Sequence, residues 1–274
     1  MSDQTLLPAE PIIEEEPLSL HKRLHDFPWW FVAIVFIAVY AAYIIFTEPN
    51  FNDDFNFIKA GLIVTIRTSL ISYAIALILG LLAGLGRLTN NVVINNLSRL
   101  YVELIRGIPM LVLIFFIALV GVPMAVEFLR NFGIPINVRN ISMTGRAIVA
   151  LSVTYGAFLA EIFRAGIQSI GRGQMEAARS LGMSYGQAMR YVILPQAIRN
   201  VLPALGNDFV AMVKDSSLVS LLAVRDISQM ARLHAGSTFR FRESYITLAV
   251  MYLTITVALS LLVQIVERKF RKND

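Results

Sequence analysis

Six long apolar runs constrain the fold of this chain more than any other feature of its sequence. They lie near Trp29 to Phe46, Ile58 to Leu85, Leu104 to Val122, Ala147 to Ile162, Val201 to Val224 and Tyr245 to Val266. Most of them approach the roughly 20 residues with which a helix crosses a bilayer. They are continuous and rich in Leu, Ile and Ala, whereas the strands of a membrane barrel are short and alternate in polarity. The sequence therefore predicts an all-α, polytopic membrane helix bundle with about six transmembrane helices.

The composition excludes several functional classes. Hydrophobic residues make up 56% of the chain and charged residues only 16%, which is unlike a soluble protein. There is no cysteine, and the three histidines, His21, His25 and His234, are scattered along the sequence. Disulfides and thiolate sites are thus excluded, and no metal site is predicted. The sequence also has no H-E-x-x-H motif, and no catalytic residue is predicted.

The chain divides by composition into four parts. Residues 1–26 are acidic and interrupted by prolines, which predicts a flexible cytoplasmic tail. Residues 27–56 are expected to form an extra N-terminal transmembrane helix and an outer loop. This first span has no basic lead and no small-residue cleavage site, so it is interpreted as retained. Residues 57–268 form the predicted transmembrane domain, and residues 269–274 a basic cytoplasmic tail.

The distribution of basic residues predicts the orientation of the helices. With the N-terminal tail inside, most of the Lys and Arg residues fall in inner links, which predicts that both termini are cytoplasmic. Anionic lipid of the inner leaflet explains the net charge of +5 without a nucleic-acid partner.

A polar segment, residues 172–195, separates the fourth apolar run from the fifth and lies inside in this topology. Glu176 is expected in the first turn of a short helix, which Gly182 ends because glycine tolerates a positive φ. Ser184 is predicted to cap a second helix, and Pro195 to break the chain before the next membrane helix. Such an element either binds a soluble partner or rests on lipid headgroups.

The spacing within this segment resembles the signature of membrane permease subunits of bacterial ATP-binding-cassette importers. That signature reads E-A-A, three residues, G, nine residues, and I-x-L-P. It is matched here by Glu176, Ala177, Ala178, Gly182, Leu194 and Pro195, with Val192 in place of Ile. Further segments are similar to the polar amino-acid branch of the family: Gly61 to Leu70, Tyr101 to Phe116, Tyr155 to Ile167, Asn207 to Ile227 and Ser237 to Tyr245. The resemblance covers about residues 57 to 268.

The resemblance implies a subunit of the cytoplasmic (inner) membrane that translocates polar amino acids. Separate ATPase subunits would bind ATP, and the chain itself would need no cofactor; its sequence has no G-x-x-x-x-G-K-S or -T phosphate loop. The predicted contacts with the ATPase are Glu176, Ala177, Ala178, Leu181, Gly182, Leu194 and Pro195. An extracytoplasmic solute-binding protein would deliver the substrate. A second permease subunit, a copy of this chain or a related one, would complete the pore.

Polar residues within the apolar runs are candidates for the substrate pathway, because such groups are costly in a membrane. They are Thr65, Arg67 and Ser69 in the second run, and Lys214, Asp215, Ser216 and Ser217 in the fifth. At helical spacing, Asp208 and Asp215 share one stripe of the fifth span. The alternative for Lys214 and Asp215 is that they hold the bundle together or pair with a partner subunit.

Two arginines before the last span, Arg240 and Arg242, oppose the charge bias and are predicted to dock the binding protein. Pairing with Asp226 and Glu243 is the alternative. For the chain as a whole, the alternative function is an ion-coupled secondary amino-acid transporter or a channel, which would need neither an ATPase nor the element at residues 176–195.

Overall fold

A computed structural model describes residues 29–271, which are helical almost throughout and contain no strand within that range. The helices are α1 (Trp29–Thr47), α2 (Pro49–Ile58), α3 (Leu62–Gly86), α4 (Val92–Arg106), α5 (Met110–Phe116), α6 (Val122–Asn131), α7 (Met143–Gln168), α8 (Arg172–Ser180), α9 (Tyr185–Ala188), α10 (Leu194–Asp215), α11 (Ile227–Thr238) and α12 (Phe241–Arg271). The all-α prediction is confirmed. The predicted tail of residues 1–26 lies outside the described range.

Within residues 29–271, four helices are long and apolar enough to cross a membrane. They are Pro49–Gly86, Met110–Asn131, Met143–Gln168 and Phe241–Lys269. The first predicted span coincides with α1, a helix of 19 residues that are almost all apolar. The fifth coincides with α10, which has 22 residues but several charged side chains. Each of the six expected spans therefore overlaps with a helical segment within residues 29–271.

Three predicted boundaries are wrong, each for a local reason. The outer loop expected before residue 57 is instead the amphipathic helix α2, which continues into α3 through a 3-10 turn at Lys59–Gly61. The third span begins at Met110 and not at Leu104, because Gly107 and Pro109 interrupt the helix after α4. The fifth helix ends at Asp215, and a 3-10 turn, Ser216–Leu222, replaces its predicted last turns.

Two prolines are accommodated by π-helical turns. The turn Ile117–Gly121 precedes Pro123, and the turn Met189–Ile193 precedes Pro195. A proline lacks the N–H that the helix would use and its ring crowds the carbonyl four residues before it, so a wider turn removes the conflict. The break predicted at Pro195 is therefore wrong: the chain is helical from Tyr185 to Asp215.

Close packing of α3 against α7 forms the centre of the bundle. Gly80 and Gly84 on α3 face α7, and a Cβ atom at Gly80 would lie 2.6 Å from the Cβ of Leu159. Small residues four apart let two helices approach closely, which is a common basis of packing within membranes. Residues 172–195, which we call the coupling element, follow the C-terminal end of α7. We call this end of the bundle the inner end and the opposite end the outer end.

Candidate coupling surface and substrate route

The coupling element is a helix, a tight turn and a second helix, as predicted. Gly182 has a φ of +83°, and its N–H donates to the carbonyl of Arg179 at 3.0 Å. Ser184 then caps α9: its hydroxyl accepts from the Gln187 N–H, and the Gln187 side chain accepts from the Ser184 N–H. One detail differs from the prediction. Because α8 begins at Arg172, Glu176 lies in its second turn and not in its first.

The coupling element exposes two large apolar side chains at its turn. Leu181 is 81% exposed and Tyr185 is 62% exposed, although both are large apolar side chains. Glu176 and Ala177 are also exposed, whereas Ala178 is buried against the rest of the element. Of the predicted contact residues, Leu194 and Pro195 are exposed as well. The structure thus places six of the seven on the surface, and Ala178 supports the element from below.

A cluster of charged residues lies beside the inner end of α7. The Glu161 carboxylate forms ion pairs with Arg164, with Arg87 at 2.5 Å and with Arg106 at 3.8 Å. These arginines come from α7 itself, from the residue after α3 and from the end of α4. The simple i, i+3 pair expected between Glu161 and Arg164 is present, and it belongs to a network that joins three helices.

In α10, the structure separates two predicted substrate residues from two that are engaged in the fold. Lys214 is exposed and forms no ion pair with any residue in the range 29–271. Ser217 is half-buried. Asp215 accepts a hydrogen bond of 2.6 Å from the hydroxyl of Tyr155 on α7, and the buried Ser216 hydroxyl donates to the carbonyl of Val213 at 2.7 Å.

On α3, the three predicted residues occupy different environments. Thr65 is buried, donates to the carbonyl of Gly61 and accepts from the N–H of Ile227 at 3.1 Å, so it fixes the start of α11. Ser69 is 1% exposed, and its hydroxyl has no hydrogen-bond partner among the described residues. Arg67 is exposed. The structure does not bring these three side chains together.

At the outer end, Arg240 and Arg242 differ. Arg242 is 75% exposed and pairs with the neighbouring Glu243 at 2.7 Å, which was the alternative to docking. Arg240 lies 3.6 Å from Asp53 and 3.7 Å from Asp54, and not beside Asp226 as that alternative expected.

The sequence analysis missed a buried polar cluster around Asp54. The Asp54 carboxylate is fully buried, accepts from the Ser244 hydroxyl at 2.6 Å and lies 2.8 Å from Nε2 of His234. Together with Arg240 these residues join α2, α11 and the start of α12, and we call them the outer junction. A signal was available, because Phe51, Asp54, Phe55 and Ile58 have the i, i+3, i+4, i+7 spacing of one helix face.

Asp226, at the start of α11 and outside the four spanning helices, has an altered acidity. Burial raises its pKa from 3.8 to about 6, and hydrogen bonds from the backbone N–H groups of Gln229 and Ser228 oppose that rise. Its carboxylate caps α11 by accepting from the Gln229 N–H at 2.8 Å. The side chain therefore carries a proton under mildly acidic conditions.

Comparison with known proteins agrees with this geometry. The family model for the binding-protein-dependent transport system inner membrane component matches residues 76–272. A probable glutamine ABC transporter permease protein, GlnM of Bacillus subtilis (strain 168), is 39% identical over 221 residues, which is 81% of this chain and 96% of that protein. The glutamine transport system permease protein GlnP of Escherichia coli (strain K12) is 35% identical and covers 77% of this chain and 91% of its own.

The fold also resembles a solved structure described as an amino acid ABC transporter with histidines. The TM-score is 0.67 and the identity is 37%, over 78% of this chain and 94% of that one. The match to this solved structure and the two sequence relatives agree with the importer signature found in the coupling element. The chain therefore belongs to the family of inner-membrane components of binding-protein-dependent transport systems.

Proposed function

We propose that this chain is the permease subunit of an ATP-binding-cassette importer and carries polar amino acids across the cytoplasmic membrane, with both termini inside. The observation that carries the coupling role is the exposed apolar surface of the coupling element, where Leu181 is 81% exposed. An exposed apolar residue of this size on a fixed helix turn supports burial by a partner. The partner we assign to it is the separate ATPase subunit that binds ATP.

In this proposal, ATPase closure moves the coupling element and thereby shifts the helices between two states. The Glu161 network supports such transmission, since it ties the ends of α3 and α4 to α7 directly beside the element. An extracytoplasmic solute-binding protein delivers the substrate, and a second permease subunit completes the pore. The names of GlnM and GlnP support an amino-acid substrate.

Within the bundle, we assign substrate contacts to Lys214, Asp215 and Ser217 on α10 and to Ser69 on α3. Lys214 has free donors for a carboxylate, and Asp215 has a carboxylate for an ammonium group. The unpartnered hydroxyl of Ser69 supports the same route. Thr65 and Ser216 are assigned to support of the helix ends, because their hydroxyls are engaged by backbone groups.

The experiment is amino-acid uptake by proteoliposomes that contain this chain with its ATPase subunits and binding protein. Uptake should require ATP, and Gly182→Ala should reduce it because an L-residue at φ +83° costs about 1–2 kcal/mol. The matched control is Gly186→Ala, since both glycines have open space around a new Cβ but only Gly182 has a positive φ.

The Glu176→Lys variant tests the contact surface itself. The side chain is exposed, so the variant should fold as the wild type does, yet transport should fall. Uptake driven by an ion gradient without any ATPase would favour the secondary-transporter alternative. Full coupled transport in both Gly182→Ala and Glu176→Lys would contradict the coupling assignment.

A further inference from the structure

A groove of about 580 Å³ lies on the surface between the end of α7 and the start of α10. Its polar lining residues are Ser169, Arg199 and Asn200, and its apolar lining residues include Ile162, Ala165 and Ala204. The function proposed above assigns no role to this groove.

The groove is amphipathic along the bundle axis. The helix α7 runs towards the inner end and α10 runs away from it, so Ser169 and Arg199 lie at the inner mouth. Ile162 and Ala204 are a turn or more farther from that end, towards the spanning part of the helices. A ligand that fits this order has a polar head at the inner surface and an apolar body directed into the membrane.

The polar side chains at the mouth present hydrogen-bond donors, which suit an anion. The Ser169 hydroxyl accepts from the Asn200 side chain at 2.9 Å and donates to the carbonyl of Gly166, which holds these two side chains in place. Arg199 is exposed, and although it has a contact within the protein, a guanidinium carries five N–H donors. Planar donors of this kind match the oxygen atoms of a phosphate group.

The charge around the mouth favours the same ligand. From residue 168 to residue 200 the charged residues are four arginines, Arg172, Arg179, Arg190 and Arg199, and one carboxylate, Glu176. All five are exposed. A surface of this sign attracts anionic headgroups at the membrane face.

We propose that this groove binds one phospholipid with an anionic headgroup, such as phosphatidylglycerol. Arg199 and Asn200 bind the phosphate, and the apolar wall around Ala165 receives the upper part of an acyl chain. The site depends on the membrane-spanning helices and on no step of transport.

The test is native mass spectrometry of the purified full-length chain, titrated separately with phosphatidylglycerol and phosphatidylcholine. Phosphatidylglycerol should bind about fivefold more tightly, as expected for one arginine near an anionic lipid. Arg199→Gln should abolish this preference. The matched control, Arg190→Gln, removes an exposed arginine of the same inner surface outside the groove and should leave the preference unchanged.

The variant Ala165→Phe tests the apolar wall and leaves the polar mouth intact, so it keeps the proposal testable if Arg199→Gln does not fold. It should weaken binding of both lipids. Equal binding of the two lipids by the wild-type chain, or an unchanged preference in Arg199→Gln, would refute the site. If soluble glycerol phosphate competed as well as the intact lipid, the groove would be an anion site without lipid and the proposal would be wrong.

Discussion

The inner and outer ends of the bundle treat their side chains in opposite ways. At the inner end, the coupling element leaves Leu181 81% exposed and Tyr185 62% exposed. At the outer end, the junction buries the Asp54 carboxylate completely and surrounds it with His234, Ser244 and Arg240. Apolar side chains are thus exposed at the inner end, and polar side chains are buried at the outer end.

This contrast separates residues that hold the fold from residues that act through a partner. A buried carboxylate is stable only while its hydrogen bonds and charges are satisfied, and here all of its partners belong to the same chain. An exposed apolar turn contributes little to the stability of its own chain. When a partner covers it, each Å² of apolar surface that is buried contributes about 25 cal/mol to the binding free energy. Substitutions at the outer end should therefore change stability, and those in the coupling element should change association.

The largest expected effect is loss of stability on Asp54→Asn. The amide of the variant has one acceptor oxygen where the carboxylate has two, and an NH2 group takes the place of the second oxygen. His234, Ser244 and Arg240 can therefore no longer all be satisfied. Breaking a buried charged cluster from one side costs about 3–5 kcal/mol. The measurement is thermal unfolding of the detergent-solubilised chain.

The control for this prediction is Asp53→Asn. Asp53 is the neighbouring acid on α2, but it is 69% exposed, and within residues 29–271 its ion pair is with Arg240 at 3.6 Å. Its substitution should change stability by less than about 0.5 kcal/mol. Equal effects of the two substitutions would show that the outer junction does not hold α2, α11 and α12 together.

A second prediction concerns pH at the outer end. The pKa of Asp226 rises from 3.8 to about 6 on folding, so its protonated form is favoured in the folded chain. The resulting stability is present below pH 4 and is lost as the pH rises through 6, by about 2–3 kcal/mol. Asp226→Asn keeps an oxygen acceptor for the Gln229 N–H but cannot ionise.

The measurement is the difference in unfolding free energy between Asp226→Asn and the wild-type chain, from pH 4 to pH 8. The difference should be near zero at pH 4, grow until about pH 6 and then stay constant in favour of the Asn variant. A difference that does not change with pH would show that folding does not raise the pKa of Asp226.

The inner end gives the third prediction. Leu181→Asp should weaken binding of the ATPase subunits by at least about tenfold, or about 1.4 kcal/mol, because a carboxylate replaces an apolar contact. The chain itself should unfold at the same temperature, since Leu181 is 81% exposed. Association is measured by titrating purified ATPase subunits against the chain in nanodiscs.

Phe239→Asp is the matched control for Leu181→Asp. Phe239 has the same exposure, 81%, but lies at the outer end between α11 and α12. It should leave binding of the ATPase unaltered. Loss of binding in both variants would indicate a general effect of the new charge, and retention in both would remove the coupling element from the interface.

The contrast between the two ends also explains which features the sequence analysis could predict. The coupling element depends on short-range signals: Gly182 has the positive φ expected of it, and Ser184 has the capping partner three residues away. The outer junction joins residues that are 180 and 190 positions apart, namely Asp54 with His234 and Asp54 with Ser244. No local pattern encodes such a contact: the helical spacing around Asp54 could have identified α2 in place of a loop, but not the distant partners of Asp54.

Prolines show a second limit of local rules. The sequence analysis expected Pro195 to break the helix, because a proline removes one hydrogen bond and crowds the preceding turn. The chain instead widens one turn, Met189–Ile193, and continues. Whether a proline breaks or widens a helix depends on the packing around it, and here Ile193 and Ala197, on either side of Pro195, are both buried.

The smallest expected effect compares the turns that end α8 and α11. Both turns use a left-handed residue, but the inner one is Gly182 with a φ of +83° and the outer one is Phe239 with a φ of +59°. A residue with a Cβ atom costs about 1–2 kcal/mol in this conformation, and replacing it with glycine removes that cost. The greater freedom of glycine in the unfolded chain offsets about 0.5–1 kcal/mol of the resulting gain in stability. Phe239→Gly should therefore stabilise the chain by up to about 1 kcal/mol.

The variant Phe239→Ala distinguishes the backbone from the ring. It removes the exposed ring but keeps the left-handed penalty, so its stability should match that of the wild-type chain in the same thermal unfolding measurement. A gain of equal size in both variants would assign the effect to the ring and not to φ. A gain only in Phe239→Gly would show that the outer turn retains a backbone conformation that the inner turn avoids by using glycine.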